Sequence, residues 1–263
     1  MVESRQNMEI AAYSVIYIIF FLFGITIGSF LNVLIYRIPR GLSPANGRSY
    51  CPGCNNTLRG LDLIPVISYF KLNGKCRHCG CDISSRYPWV EFLGGAAAVL
   101  SVFEFFVTPK AIIAFLVLSV LIVITYIDID IQEIPDRLNL SIFLLGVASI
   151  FVTDDVVIGS RLIGFVAVAL PMVIITIIIK DAFGGGDIKL CAAAGFLLGI
   201  QGIVVGAFIG IILGGLYGIY LLVTKKKDKK DHFAFGPFLS FGIGISLFWG
   251  EELVNMYLNL FGF

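Results

Sequence analysis

Charge is scarce in this chain. Asp, Glu, Lys and Arg make up 14% of its 263 residues against 58% hydrophobic ones, and the mean hydropathy is +0.93. That scarcity excludes an ordinary soluble domain, whose surface must be polar, and leaves an all-α polytopic membrane protein. Net charge is almost absent too, at +1, so it singles out no partner, and nothing points to nucleic acid. A Rossmann-type cofactor fingerprint is missing. So is the symmetry between halves expected of a transporter.

What is present is a series of apolar runs near the length needed to cross about 30 Å of hydrocarbon at about 1.5 Å per residue. Eight transmembrane helices are expected, at about 9–35, 89–107, 111–127, 138–152, 157–179, 188–202, 203–223 and 237–259. Gly199, Gln201, Gly202 and Gly206 suggest the turn that divides 188–223. The first run is too long, and its end too polar, for a cleaved signal peptide, and is expected to stay.

Positive charge is segregated about these runs. Arg37, Arg40, six residues of the 41–88 loop, Arg137, Lys180, Lys189 and the five lysines of "KKKDKK" fall on one side, and only Arg5, Lys110 and Arg161 on the other. The asymmetry places the large loop in the cytoplasm and both termini outside. The lysine run reads as a solvated, positive-inside loop, and Lys189 as a snorkelling side chain.

Residues 41–88 carry "CPGC" at Cys51 and Cys54 and "CRHC" at Cys76 and Cys79. Two C-x-x-C pairs read as knuckles that deliver four thiolates to one structural Zn2+, and a reducing cytoplasm disfavours disulfides. Lys75, Arg77 and Arg86 offer compensating charge. Cys81 reads as a bystander, His78 as a solvated loop residue, and Cys191 as a small hydrophobe inside a helix. The expected organisation is a first helix (1–40), a zinc-ribbon-like cytoplasmic insert (41–88) and a membrane-embedded core (89–263).

Two acidic stretches stand at the edges of apolar runs: "YIDIDIQEIPD", with Asp128, Asp130, Glu133 and Asp136, and "GGGD", with Asp187. Two crossings separate them, so both return to one face. Two aspartates in reach of each other shed their protons in two steps. The ionised member can then deprotonate water while the protonated one polarises a peptide carbonyl, as in aspartic proteases. Gly184, Gly185 and Gly186 would leave room for a substrate backbone and allow a bend, and irregular backbone is tolerated where it lines a polar cavity. The other reading makes Asp187 the N-cap of the sixth helix. Asp136, after Pro135, is the better capping candidate, and Asp130 can face the cytoplasm.

Taken in order, these features resemble the bacterial type IV prepilin peptidases over nearly the whole chain. "GSFLNVLIYRIPR" ends the first helix, "ISSRYPWVEF" follows the cysteines, and "IDIDIQEIPD", "GGGD" and "FGPFL" (Phe235 to Leu239) come next. "GGGD" is similar to the G-x-G-D of intramembrane aspartyl proteases. Gly185 stands where a bulkier residue is common, and Ala234 where proline is frequent. The resemblance implies an inner-membrane enzyme with Asp128 and Asp187 as a dyad facing the cytoplasm. Its substrates would be prepilins and pseudopilins of type IV pilus or type II secretion systems, cut after a glycine. It also implies methylation of the new amino terminus from S-adenosylmethionine, a step to which the sequence assigns no residue. The competing readings are an ion-coupled transporter and a non-catalytic zinc-containing membrane scaffold.

Overall fold

The computed structural model describes residues 2–153, 155–180, 182–224, 233–260 and 262. The described residues are helical, with no strand beyond two isolated bridges. The lysine run lies outside them. The chain divides into two compact units, Met1–Phe115 and Leu116–Phe263.

In the first unit α1 (Val2–Arg37) packs along α3 (Arg86–Phe105). Glycine makes that contact possible. A Cβ at Gly24 would lie 2.7 Å from Ala98 Cβ, and one at Gly28 would lie 2.7 Å from Glu91 Cα, so the helix backbones meet directly, as in small-residue membrane interfaces. Aromatic pairs Tyr13–Phe106, Tyr17–Phe103 and Phe21–Phe92 line the seam. Between these helices lies the short α2 (Ile67–Lys71) within a mostly irregular loop. Arg37 anchors the loop, because its guanidinium donates to the carbonyls of Ser43, Pro44, Asn46, Gly47 and Arg48. Asn32 donates to Tyr87 O at 3.1 Å and ties the end of α1 to the start of α3.

The second unit holds the rest of α4 (Pro109–Ile131), then α5 (Asp136–Ile150), α6 (Ile158–Ala167), α7 (Ala169–Ile178), α8 (Gly185–Val223) and α9 (Gly236–Leu260). The helix α8 is central, packing against α5, α6 and α9. Its core is aliphatic, with Ile124, Ile127, Ile142, Leu190, Ile203 and Ile243 almost wholly buried. Many other long apolar side chains are exposed, including Leu162, Ile177, Ile178, Phe208 and Phe241. That inverted distribution suits lipid rather than water. Among the described residues, five helical segments are long and apolar enough to cross a membrane: Tyr13–Arg40, Arg86–Phe105, Pro109–Ile131, Ile158–Ile178 and Gly185–Val223.

Every expected apolar run is helical, with two internal differences. The run 157–179 breaks at Val168 into α6 and α7, because Pro171 has no N–H and its ring crowds the carbonyl four residues earlier. The division of 188–223 falls on Gly199, whose φ of 73° and ψ of −179° belong to a region open essentially to glycine alone. A Cβ there would lie 2.6 Å from Ser160 Oγ and 2.7 Å from Val156 Cγ1. Gly199→Ala is therefore expected to destabilise the protein by about 1–3 kcal/mol, read as a lower midpoint of thermal unfolding in detergent.

The kink is held by Arg161, expected from sequence only as a topological positive charge and found buried. It donates to Ser149 Oγ at 2.8 Å, to the carbonyls of Leu197, Phe196 and Gly146 at 3.1, 3.2 and 3.3 Å, and to Val156 O at 3.1 Å. A guanidinium thus occupies carbonyls of α5 and α8 that lie close to where each helix ends or bends.

Candidate active site and metal centre

Asp128 lies in the last turn of α4, 4% exposed. Its Oδ2 accepts the N–H of Gly236, the first residue of α9, at 2.8 Å. A helix N-terminus offers unsatisfied N–H groups and a partial positive charge, so α9 is aimed at the carboxylate. Glycine is needed there, since a Cβ at 236 would lie 2.8 Å from Oδ2. Pro237 follows where a missing N–H costs nothing. The signal for this in the sequence is the "GP" that opens α9.

Asp187 is the third residue of α8, and Gly184 is the N-cap. The aspartate is thus not the N-cap, although its carboxylate reaches back to accept the Gly184 N–H, half of a capping box. Its Oδ1 remains buried with no protein donor, an acceptor with capacity in hand. Asp128 is the charged group whose field reaches it.

Packing between the two motifs explains their approach. Ile134, in the turn after α4, would lie 2.9 Å from a Cβ at Gly186 and 3.2 Å from one at Gly236. Asn139 of α5 donates to Gly186 O at 3.3 Å, and the rings of Phe183 and Phe235 pair at 6.1 Å. Asp136 caps nothing. It is the first residue of α5 and forms a 2.7 Å ion pair with Lys189, which is therefore paired rather than simply snorkelling. Asp130 is exposed. None of Gly184, Gly185 and Gly186 has a positive φ. Only Gly186 is needed for a close approach between chain segments, whereas a Cβ at Gly185 would meet nothing. A buried and a half-buried carboxylate within electrostatic reach form an arrangement that can share a proton.

The cysteines form a second site, in the first unit. Each C-x-x-C lies in a turn of the same build. Cys51 N–H donates to Asn56 O and Cys76 N–H to Cys81 O, at 3.0 and 2.8 Å. Asn55 and Gly80, each following the second cysteine, take left-handed φ values of 56° and 70°. The four sulfurs of Cys51, Cys54, Cys76 and Cys79 lie within 4.8 Å of one another. Four thiolates around one Zn2+ stand about 3.8 Å apart, and the Cys51–Cys79 separation is 3.9 Å, so these residues fit a tetrahedral ion. Burial opposes ionisation of Cys51, but hydrogen bonds from the N–H groups of Gly53 and Cys54 and with the thiols of Cys81 and Cys76 together bring it down to about 6. Cys81 is nearer than a bystander need be, its Sγ 3.4 Å from Cys51 and 3.1 Å from Cys79. His78 is exposed and outside the set. Arg77 is bound to Asp62 at 2.7 Å, and Cys191 is buried in α8.

The chain matches two family models, "Bacterial Peptidase A24 N-terminal domain" over residues 22–105 and "Type IV leader peptidase family" over 115–219. The first match contains the cysteine turns and the second both aspartates. A Bacillus subtilis protein named "Prepilin leader peptidase/N-methyltransferase" is 32% identical over 92% of this chain and 98% of its own length. Proteins of the same name from Aeromonas salmonicida and Legionella pneumophila are 32% and 30% identical, over 91% and 92% of this chain and 92% and 94% of theirs. No solved structure matches. With one segment matched around the thiols, another around both aspartates, and relatives that span nine-tenths of the chain joining the two, the chain belongs to the type IV leader peptidase family.

Proposed function

We propose that this protein is a multi-pass enzyme of the bacterial inner membrane that removes the basic leader of type IV prepilins and pseudopilins and then methylates the exposed amino terminus from S-adenosylmethionine. The observation that carries the reading is that the buried Asp128, fixed by an α9 N–H, lies within electrostatic reach of the half-buried Asp187, whose Oδ1 is inaccessible to solvent. The ionised aspartate takes a proton from water, whose oxygen adds to the carbonyl carbon of the leader glycine, while the protonated aspartate gives its proton to the carbonyl oxygen. The tetrahedral intermediate then collapses, and its C–N electrons leave with a proton on the new amine. No metal or nucleophilic side chain is required. The names of the relatives, joining peptidase to N-methyltransferase, support the second reaction.

The charge asymmetry of the loops supports a cytoplasmic active site and outside termini. Eight crossings are reached by counting α8 as two helices about Gly199 and adding α5 and α9 to the five long apolar segments. The cysteine turns form a zinc-ribbon-like insert in which Cys51, Cys54, Cys76 and Cys79 would hold structural Zn2+, and the ion would fix the two turns together.

The direct test is a synthetic peptide with a basic leader, glycine, phenylalanine and an apolar helix, added to purified protein in detergent. Shortening of the peptide at the glycine is expected; a transporter or scaffold leaves it intact. Gly236→Ala, which drives a methyl group against Asp128 Oδ2, is expected to lower the cleavage rate at least about tenfold at unchanged helix content. Wild-type cleavage by that variant would show that the α9 contact is dispensable.

A further inference from the structure

A cavity of about 520 Å³ lies in the first unit, where the end of α1 and the start of α3 meet the two cysteine turns. Its volume falls within the range of small-molecule sites. Tyr36, Tyr50, Tyr69 and Tyr87 line it together with the carboxylate of Glu91. Glu91 is 8% exposed, and its partners are neutral: the Val66 N–H at 2.7 Å and the Ser29 hydroxyl. The arginines that line the cavity are engaged elsewhere, Arg37 on the loop carbonyls and Arg77 on Asp62. Among the described residues no Lys or Arg pairs with Glu91.

Its contact to Val66 adds a second observation. Val66 has φ 62° and ψ −51°, a strained γ-turn closed by the Ile67 N–H on Pro65 O at 2.6 Å, which a β-branched residue adopts only under constraint. Such strain persists where the surroundings hold it and gathers at ligand sites. Here Glu91 supplies a hydrogen bond that holds it.

A buried carboxyl group with only neutral donors, walled by aromatic rings, offers an organic cation with a ring of its own the one charge partner that the protein does not supply. We propose that this cavity is the methyl-donor site, with the sulfonium of S-adenosylmethionine facing Glu91 and its adenine among the tyrosines. The inference rests on the proposed second reaction. In that step the lone pair of the new amine forms the N–CH3 bond, the S–CH3 pair returns to sulfur, and the N-methylammonium gives its proton to solvent. Sulfur thereby becomes a neutral thioether. Glu91 then faces no sulfonium charge, which favours exchange of product for fresh donor.

Equilibrium dialysis of the full chain in detergent tests this. Wild type is expected to bind S-adenosylmethionine at least about tenfold more tightly than S-adenosylhomocysteine, its neutral-sulfur counterpart, and Glu91→Gln to remove most of that preference. Because Glu91→Gln can also disturb the Val66 turn, ultraviolet crosslinking of radiolabelled S-adenosylmethionine to wild type is the second measurement, with label expected in peptides from residues 29–91. Label elsewhere, or a preference unchanged in Glu91→Gln, overturns the site. Methylation of a pre-cleaved peptide in the same preparation separates the failures: methylation with label outside 29–91 removes only this site, whereas absence of both binding and methylation removes the reading beneath it as well.

Discussion

Asp128→Asn and Asp187→Asn are each expected to reduce prepilin cleavage by at least about a hundredfold, the scale of a lost general acid or base. Each amide is nearly isosteric with its acid but cannot relay a proton. The surrounding packing at Ile134, Gly186 and Gly236 does not depend on charge, so helix content and thermal midpoint are expected to change little. Asp130→Asn, at an exposed position one turn-fraction away, is expected to keep most activity. Cleavage in wild type is expected to follow a bell-shaped pH profile. Below the range where the first proton leaves no base is present, and above the range where the second leaves no acid remains. Robust cleavage by Asp187→Asn would end the catalytic reading of the dyad.

Replacing Cys51 and Cys54 together by Ser is expected to remove about one Zn2+ per chain, measured by metal analysis, and to abolish methylation while cleavage falls far less. The two turns are held by few local hydrogen bonds and two isolated bridges, so an ion shared between them would contribute much of the loop's folding free energy. The aspartates belong to the other compact unit and do not draw on that ion. Methylation needs a free amine, which exists only after hydrolysis, so aspartate variants are expected to lose both products on full-length substrate and regain methylation on a pre-cleaved peptide. The cysteine variant is expected to fail on both. A cysteine variant that methylates pre-cleaved peptide at the wild-type rate, as read by mass spectrometry, would show that the loop is not needed for the second reaction.

Hydropathy, spacing and local chain chemistry were enough to establish the helical membrane class, the position of each apolar run and the pairing of the two C-x-x-C turns, while the order of the motifs carried the resemblance to the family. Those properties are local: a run of apolar residues becomes a helix where its backbone must satisfy itself, and a C-x-x-C turn has the same build wherever it stands. Tertiary structure alone decided what touches Asp128, because the Gly236 N–H that holds it comes from 108 residues away. It likewise turned Arg161 from a charge counted only for topology into the buried pin of a kink, and brought Cys81 up to the thiol cluster. The same folding placed Glu91 beside a cavity, on a helix where the sequence showed only a motif. Such contacts carry no periodicity or spacing in the chain; they exist because glycines let backbones approach and orphaned polar groups must find partners once they do.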